Sequence, residues 1–219
     1  MNQEELKLKY PNFFALIEEY YGADERPKKI LEELILDRLG NKKKFRKNWT
    51  NGILKAIGEE IGYPTQGLTF GFIPNYGGMA EFSETLGDDK KIITQIQFYI
   101  SLLRNVYTIQ ITEIEEVTRH NSFLNHEVQN QTLKEIWVSP SHPKYNDIFL
   151  KIESYMDRTL DNSIFLPYSI QQIRLNEIIM PHTSNEDNKV EDAFFRKILP
   201  LNQDFSILGD PDYRINELS

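Results

Sequence analysis

Apolar and polar residues alternate with a period of two over residues 92–100. Ile92, Thr94, Ile96, Phe98 and Ile100 fall on one side, and Ile93, Gln95, Gln97, Tyr99 and Ser101 on the other. β-Branched and aromatic residues at that period predict a half-buried strand. Ile92, Ile96, Tyr99, Ile100 and Leu103 also fit a helical period, but the β-branched content favours strand. After residues 102–105 the alternation resumes, with Tyr107, Ile109 and Ile111 opposed to Thr108, Gln110 and Thr112. Two such runs joined by a short polar connection predict an antiparallel hairpin. One face should be wet and the other dry, with helices over the isoleucines.

Residues 1–62 carry helical periodicity instead. Phe13, Phe14, Ile17, Tyr20 and Tyr21 recur at helical spacing and Gly22 stands at a stop. Asp24 and Pro27 open a second helix whose stripe is Ile30, Leu31, Leu34, Ile35 and Leu39, closed by Gly40. A third helix is expected over 51–61, with Ile53, Leu54, Ile57 and Ile61 inward and Gly62-Tyr63-Pro64 as its end. The alternation over 68–73 predicts a strand, followed by a turn at Asn75-Tyr76-Gly77-Gly78. Gly87-Asp88-Asp89-Lys90 reads as another turn. Residues 119–131 lack periodicity and read as a long loop; 134–139 form a short strand with Ile136 and Val138 opposite Trp137. A helix then runs to about Leu160 on Ile148, Phe149, Ile152, Tyr155, Met156 and Leu160. One or two strands are expected around Ile173, Leu175 and Ile178, and a last helix over 190–199 on Phe194, Phe195 and Ile198. These elements predict an α+β fold: a mostly antiparallel sheet of about five strands, with N-terminal helices and two later helices packed on it. No flexible linker divides the helical portion, 1–62, from the sheet-bearing portion, 63–219, so one domain spanning 1–219 is expected.

Composition changes this picture little: 219 residues, 40% hydrophobic and 26% charged, suit a globular chain able to bury a core. Charge changes it more. Residues 1–62 hold 12 Lys/Arg against 11 Asp/Glu, whereas 63–219 hold 13 against 22, so the net charge of −8 lies on the sheet-bearing portion. Such a field repels nucleic acid and anionic membrane and attracts a basic partner. No apolar run approaches the ~20 residues of a membrane helix. The charged start, MNQEELKLKYPNFF, has no apolar signal segment, and cytoplasmic localisation is expected. The absence of cysteine excludes thiolate chemistry and cysteine-based metal sites.

Candidate chemistry is sparse. In residues 42–49, KKKFRKNW, five cations interleave with Phe45 and Trp49, a pattern suited to a phosphate backbone. The plainer reading is a basic connection whose aromatics pack inward, with acidic net charge against nucleic acid. Gly67, Gly71, Gly77 and Gly78 match no phosphate-loop or dinucleotide spacing. Glu113 and Glu115 should share a strand face about 7 Å apart. That spacing permits acid–base or cation chemistry, but an exposed acidic strand end is the plainer reading. His126-Glu127-Val128-Gln129-Asn130 begins like a zinc-protease helix, but Asn130 occupies the place of the second histidine. His120, His142 and His182 are scattered. There is no Gly-x-Ser-x-Gly elbow. No cofactor and no metal are expected.

In texture the chain resembles the small cytoplasmic immunity proteins that bacteria keep against polymorphic toxins. The likeness rests on its acidic, cysteine-free, aromatic-rich composition and on the hairpin Phe98-Tyr99-Ile100-Ser101 through Tyr107-Thr108-Ile109. It covers no defined motif. It implies a non-catalytic module presenting an acidic surface to a basic protein; because carboxylates steer a cationic partner, Glu113, Glu115, Glu116, Glu186, Asp187, Glu191 and Asp192 are the candidate partner-binding residues. The alternative is a hydrolase using dispersed carboxylates with His120 or His126.

Overall fold

The computed structural model describes the chain except for residues 23–24, 70, 122–125, 177, 181–182, 184–187 and 196–203. Helices open it: α1 (Gln3–Lys9), α2 (Pro11–Tyr21), α3 (Glu25–Gly40) and α4 (Lys42–Phe45). The last continues without a break through a π-helical stretch, Arg46–Leu54, into α5 (Lys55–Ile61). Asn2 and Glu5 cap α1 reciprocally, and Pro11 starts α2 at a position where a missing N–H costs nothing. Gly62, at φ +76°, ends α5 in the left-handed conformation that glycine adopts without strain. The basic stretch 42–49 is therefore helix, not a connection. Its aromatics do pack inward: Trp49 is buried and stacks on Tyr76 at 5.0 Å.

The strands are β1 (Thr65–Gly67), β2 (Asn75–Thr85), β3 (Lys90–Ser101), β4 (Val106–Asn121), β5 (His126–Trp137), β6 (Ile164–Phe165) and β7 (Ser206–Leu208). They make a seven-stranded, mostly antiparallel sheet in the order β1-β2-β3-β4-β5-β7, with β6 paired in parallel to β4. The architecture is α+β, with more strands than the five expected. Among the described residues, the central strands are followed by α6 (Asn146–Thr159), of 14 residues, and the short α7 (Tyr168–Gln171) and α8 (Val190–Phe194). The last helix ends at Phe194, because Phe195 is already extended at φ −141° and ψ 148°, and residues 196–199 of its expected span lie outside the described residues.

The expected hairpin is β3–β4, paired from Lys90↔Val117 to Ile100↔Tyr107. Its isoleucine face, with Ile96, Phe98, Ile100, Ile109 and Ile111, packs under Leu54, Ile57, Phe149, Ile152 and Met156. The opposite face is not wet. Tyr99 and Met79 join a second core with Phe13, Phe14, Ile17 and Phe194, and Gln97, Thr108, Gln110 and Thr112 are buried. Most of these polar groups find partners there: Gln97 Oε1 accepts from Tyr99 and Gln110 at 2.9 and 3.1 Å, and Gln171 bridges Thr108 and the Leu166 carbonyl, while Gln110 Oε1 is buried without a partner among the described residues.

Two sequence expectations fail nearby. None of the described residues of 68–73 is strand, and Asn75-Tyr76-Gly77-Gly78 is the start of β2 and not a turn. The reason is close approach: a Cβ on Gly78 would stand 2.6 Å from the Phe98 ring, and one on Gly77 3.1 Å from Tyr99. The glycines clear space for cross-strand aromatics. Likewise the expected loop over 119–131 is mostly strand. β4 and β5 stay paired from Thr118↔Gln129 to Asn121↔His126, beyond the point where β3 begins.

Arg214, at φ +61°, ties the C-terminal segment to the sheet and α6. Its guanidinium reaches Tyr107 Oη at 2.6 Å, Asp157 at 2.9 and 3.1 Å, Glu153 at 3.2 Å and Glu217 at 2.6 Å. The same group lies over the Phe165 ring. Burial opposes the charge, but the Glu217 and Asp157 hydrogen bonds outweigh it and hold Arg214 above the usual arginine pKa.

Candidate functional site

A cleft opens where the isoleucine face of the sheet runs out from under α6. Phe82, Glu84, Leu86, Ile92, Thr94, Glu113, Lys144 and Tyr145 line about 270 Å³. Strand register brings these residues together: Glu84 pairs with Ile92, Phe82 with Thr94, and Thr94 in turn with Glu113. Two of these, Phe82 and Tyr145, belong to a longer row of packed rings. Tyr63 meets Phe82 at 4.8 Å, Phe82 stacks on Tyr145 at 4.6 Å, Tyr145 meets His142 at 5.1 Å, and His142 meets Trp137 at 5.0 Å.

His142 is buried at the centre of this arrangement. Its Nδ1 accepts from the backbone N–H groups of Lys144 and Tyr145, at 3.1 and 3.2 Å, just before α6 begins. With that nitrogen an acceptor, Nε2 carries the hydrogen and donates to Glu113 Oε1 at 3.0 Å. Both ring nitrogens are engaged, so the ring fixes the α6 entry and orients the carboxylate. It has no lone pair left to take a proton from a substrate.

Glu135 stands directly across the ladder from Glu113, at a step next to a β-bulge that leaves Lys134 without a partner in register. Opposed residues of an antiparallel pair hold their Cβ atoms about 4.5–5.5 Å apart, and like charges there repel. Glu135 accepts from the Trp137 indole N–H at 3.2 Å. Among the described residues, then, neither carboxylate has a cation. Each is met by a neutral N–H donor.

The other acidic candidates differ. Glu115 does share a face with Glu113, but it is paired with Lys90 and lies 4.0 Å from Lys134. The Lys90 contact holds its pKa below the usual glutamate value. Glu116 is not part of an exposed strand end: it is buried, and it accepts from Gln131 at 2.8 Å and Lys91 at 3.2 Å. Those partners depress its pKa against the opposing effect of burial. Glu191 and Asp192 belong to the start of α8, where Glu191 meets Gln172 at 3.2 Å and Asp192 accepts from the Lys189 N–H at 2.8 Å. Glu186, Asp187 and His182 lie outside the described residues. Strand pairing places the backbone of His120 roughly 16–23 Å along β4 from Glu115 and Glu113, and His126 opposite Asn121, further still. Both backbone positions are remote from those of the two carboxylates. No three His, Asp or Glu side chains among the described residues converge as metal ligands. Among those residues no helix is long and apolar enough to cross a membrane.

Comparison with protein-family models, with curated proteins and with solved structures returned no match. The site must be read from its own chemistry. Sequence reasoning reached Glu113 through the acidic run but missed Glu135, His142 and Tyr145. The bulge at Lys134 sets which residue faces Glu113, and no pattern in the sequence announces it.

Proposed function

We propose that this chain is a non-catalytic protein-binding module that captures a basic partner by seating one of its lysine or arginine side chains in the cleft beside Glu113. The observation that carries this reading is the Glu113–Glu135 pair, two opposed carboxylates that neutral donors orient and no described cation compensates. A partner's cation relieves their repulsion, and the Phe82 and Tyr145 side chains that line the cleft give its alkyl stem apolar contact. Lys144 lines the same cleft but is paired with Glu84 at 3.0 Å, so its charge is already answered. The acidic balance of residues 63–219 adds long-range steering of a basic protein. A basic toxin held in the cytoplasm by an immunity-type protein is the partner class that suits this chemistry.

The hydrolase reading draws on the Glu113–His142 contact, but the histidine it needs as a base is occupied on both nitrogens. The test is retention of lysine- and arginine-rich peptides across a salt titration, with Glu113→Gln/Glu135→Gln beside the parent. Glutamine keeps an oxygen for His142 and for Trp137. The expected result is retention at low salt that fades as salt rises and is lost in the double variant, while its stability is equal to the parent's or greater. Absence of retention at low salt, or equal retention by the variant, would rule the proposal out.

A further inference from the structure

A second cavity, of about 150 Å³, lies between the end of α3, the start of α4 and the loop leading into β2. Arg38, Leu39, Lys42, Phe45, Thr69 and Gly71 line it among the described residues. Its volume equals about five water molecules at ~30 Å³ each, room for a small anion and little more. Arg38 is the unusual member. Its residue is only 7% exposed, yet no carboxylate among the described residues pairs with it. Two of its N–H groups donate to backbone carbonyls, Asn75 O at 3.0 Å and Gly71 O at 2.6 Å. Nε is buried with no hydrogen-bond partner. A guanidinium stays ionised, and burying it without an anion is costly. Burial accordingly lowers its pKa from the usual arginine value, opposed only by the Tyr76 phenol.

The surroundings repeat the imbalance. Lys42, Lys43, Arg46 and Lys47 make no ion pair among the described residues, while Lys44 is answered by Asp37 at 2.5 Å. In a chain of net charge −8 these cations are a local exception. The helix end itself is not the site, since Asn41 Oδ1 already accepts from Lys44 N at 3.1 Å. Thr69 is also spoken for, accepting from Gly77 N at 2.9 Å. What remains uncompensated is the pair of cationic side chains at the cavity wall, with Leu39 and Phe45 as its apolar side.

We infer that the Arg38–Lys42 cavity is an anion site that takes a phosphate group, either free or on a small phosphomonoester. Arg38 is anchored by the two carbonyls, so its guanidinium is held rigidly, and Lys42 supplies a second positive charge suited to a dianion. The site is independent of the carboxylate cleft, which lies on the sheet beside α6.

Inorganic phosphate, phenyl phosphate and chloride at matched ionic strength are titrated into the full chain at pH 7, reading thermal stability and calorimetric heat. Saturable stabilisation by phosphate over chloride is expected. Tighter binding of phenyl phosphate would assign the site to a phosphomonoester, and equal binding to the free ion. Lys42→Gln should weaken phosphate binding by about tenfold, in line with loss of one close charge, whereas Lys43→Gln, outside the cavity, should leave it unchanged. Arg38→Lys should abolish binding; if that variant fails to fold, Lys42→Gln decides. Phosphate no better than chloride, undiminished binding in Lys42→Gln, or an equal loss in Lys42→Gln and Lys43→Gln would each overturn the inference.

Discussion

Replacing Arg214 by methionine removes the charge that five acidic or phenolic oxygens converge on, while keeping an unbranched side chain over Tyr107 and Phe165. Glu153, whose side chain is 10% exposed, would then keep, among the described residues, only Tyr213 Oη, at 3.0 Å, as a hydrogen-bond donor. Asp157 would retain Tyr107 at 2.6 Å and Ser163 at 3.1 Å. Removing one partner of a buried ion pair costs about 3–5 kcal/mol. Asp157 is 38% exposed, so water answers part of its loss and the low end applies. The expected cost is about 3 kcal/mol, or roughly 6–12 °C in Tm for a chain of this length. Urea unfolding at pH 7 followed by circular dichroism measures it. Glu217→Gln serves as the control: that side chain is 41% exposed, and its loss should cost under about 1 kcal/mol. Adding Asp157→Asn to Arg214→Met should cost less than the sum of the singles, since both remove the same contact. An Arg214→Met variant within about 1 kcal/mol of the parent, or strict additivity with Asp157→Asn, would refute the view that this network anchors the tail.

Further expectations concern the sheet. Gly78→Ala should destabilise by about 1–3 kcal/mol, measured by the same denaturation, because its methyl would stand 2.6 Å from Phe98 and 2.7 Å from Leu54. Glu116 has its folded pKa depressed by Gln131 and Lys91, so its contribution is present above the ordinary value of 4.5 and lost as pH falls through the lower folded value. Glu116→Gln should therefore flatten the decline of stability with acidification below pH 4.5, read as the urea midpoint against pH.

The parts of the fold legible in the sequence are those where one local pattern decides the outcome. Period-two isoleucines placed β3 and β4, and the stripe of Ile148, Phe149, Ile152 and Met156 placed α6. The readings that failed depended on partners distant in the chain. Gly77-Gly78 has the local chemistry of a turn, and only the rings of Tyr99 and Phe98 across the ladder explain it as strand. The polar face of β3 looked wet because glutamine and threonine usually meet solvent; here they meet each other and Gln171 beneath a second helical layer. The polar run after Arg119 has no alternation to detect, since a two-stranded ribbon without a dry side imposes none. At the site, the acidic run was visible. Which of its members would be matched by lysines, and which left to neutral donors, was set by cross-strand register and by the bulge at Lys134.

That ribbon carries a consequence of its own. Past Val117, β4 has lost β3, so each paired residue out to Asn121↔His126 leans on one described neighbour where those nearer the centre lean on two. Two strands alone are marginal in water. The outer rungs should therefore unzip from the tip while the body of the protein stays shut, and their amide protons should trade with deuterium far sooner than those of Ile96 or Ile109. A partner gripping this arm would meet a surface that reshapes cheaply, joined to one that does not.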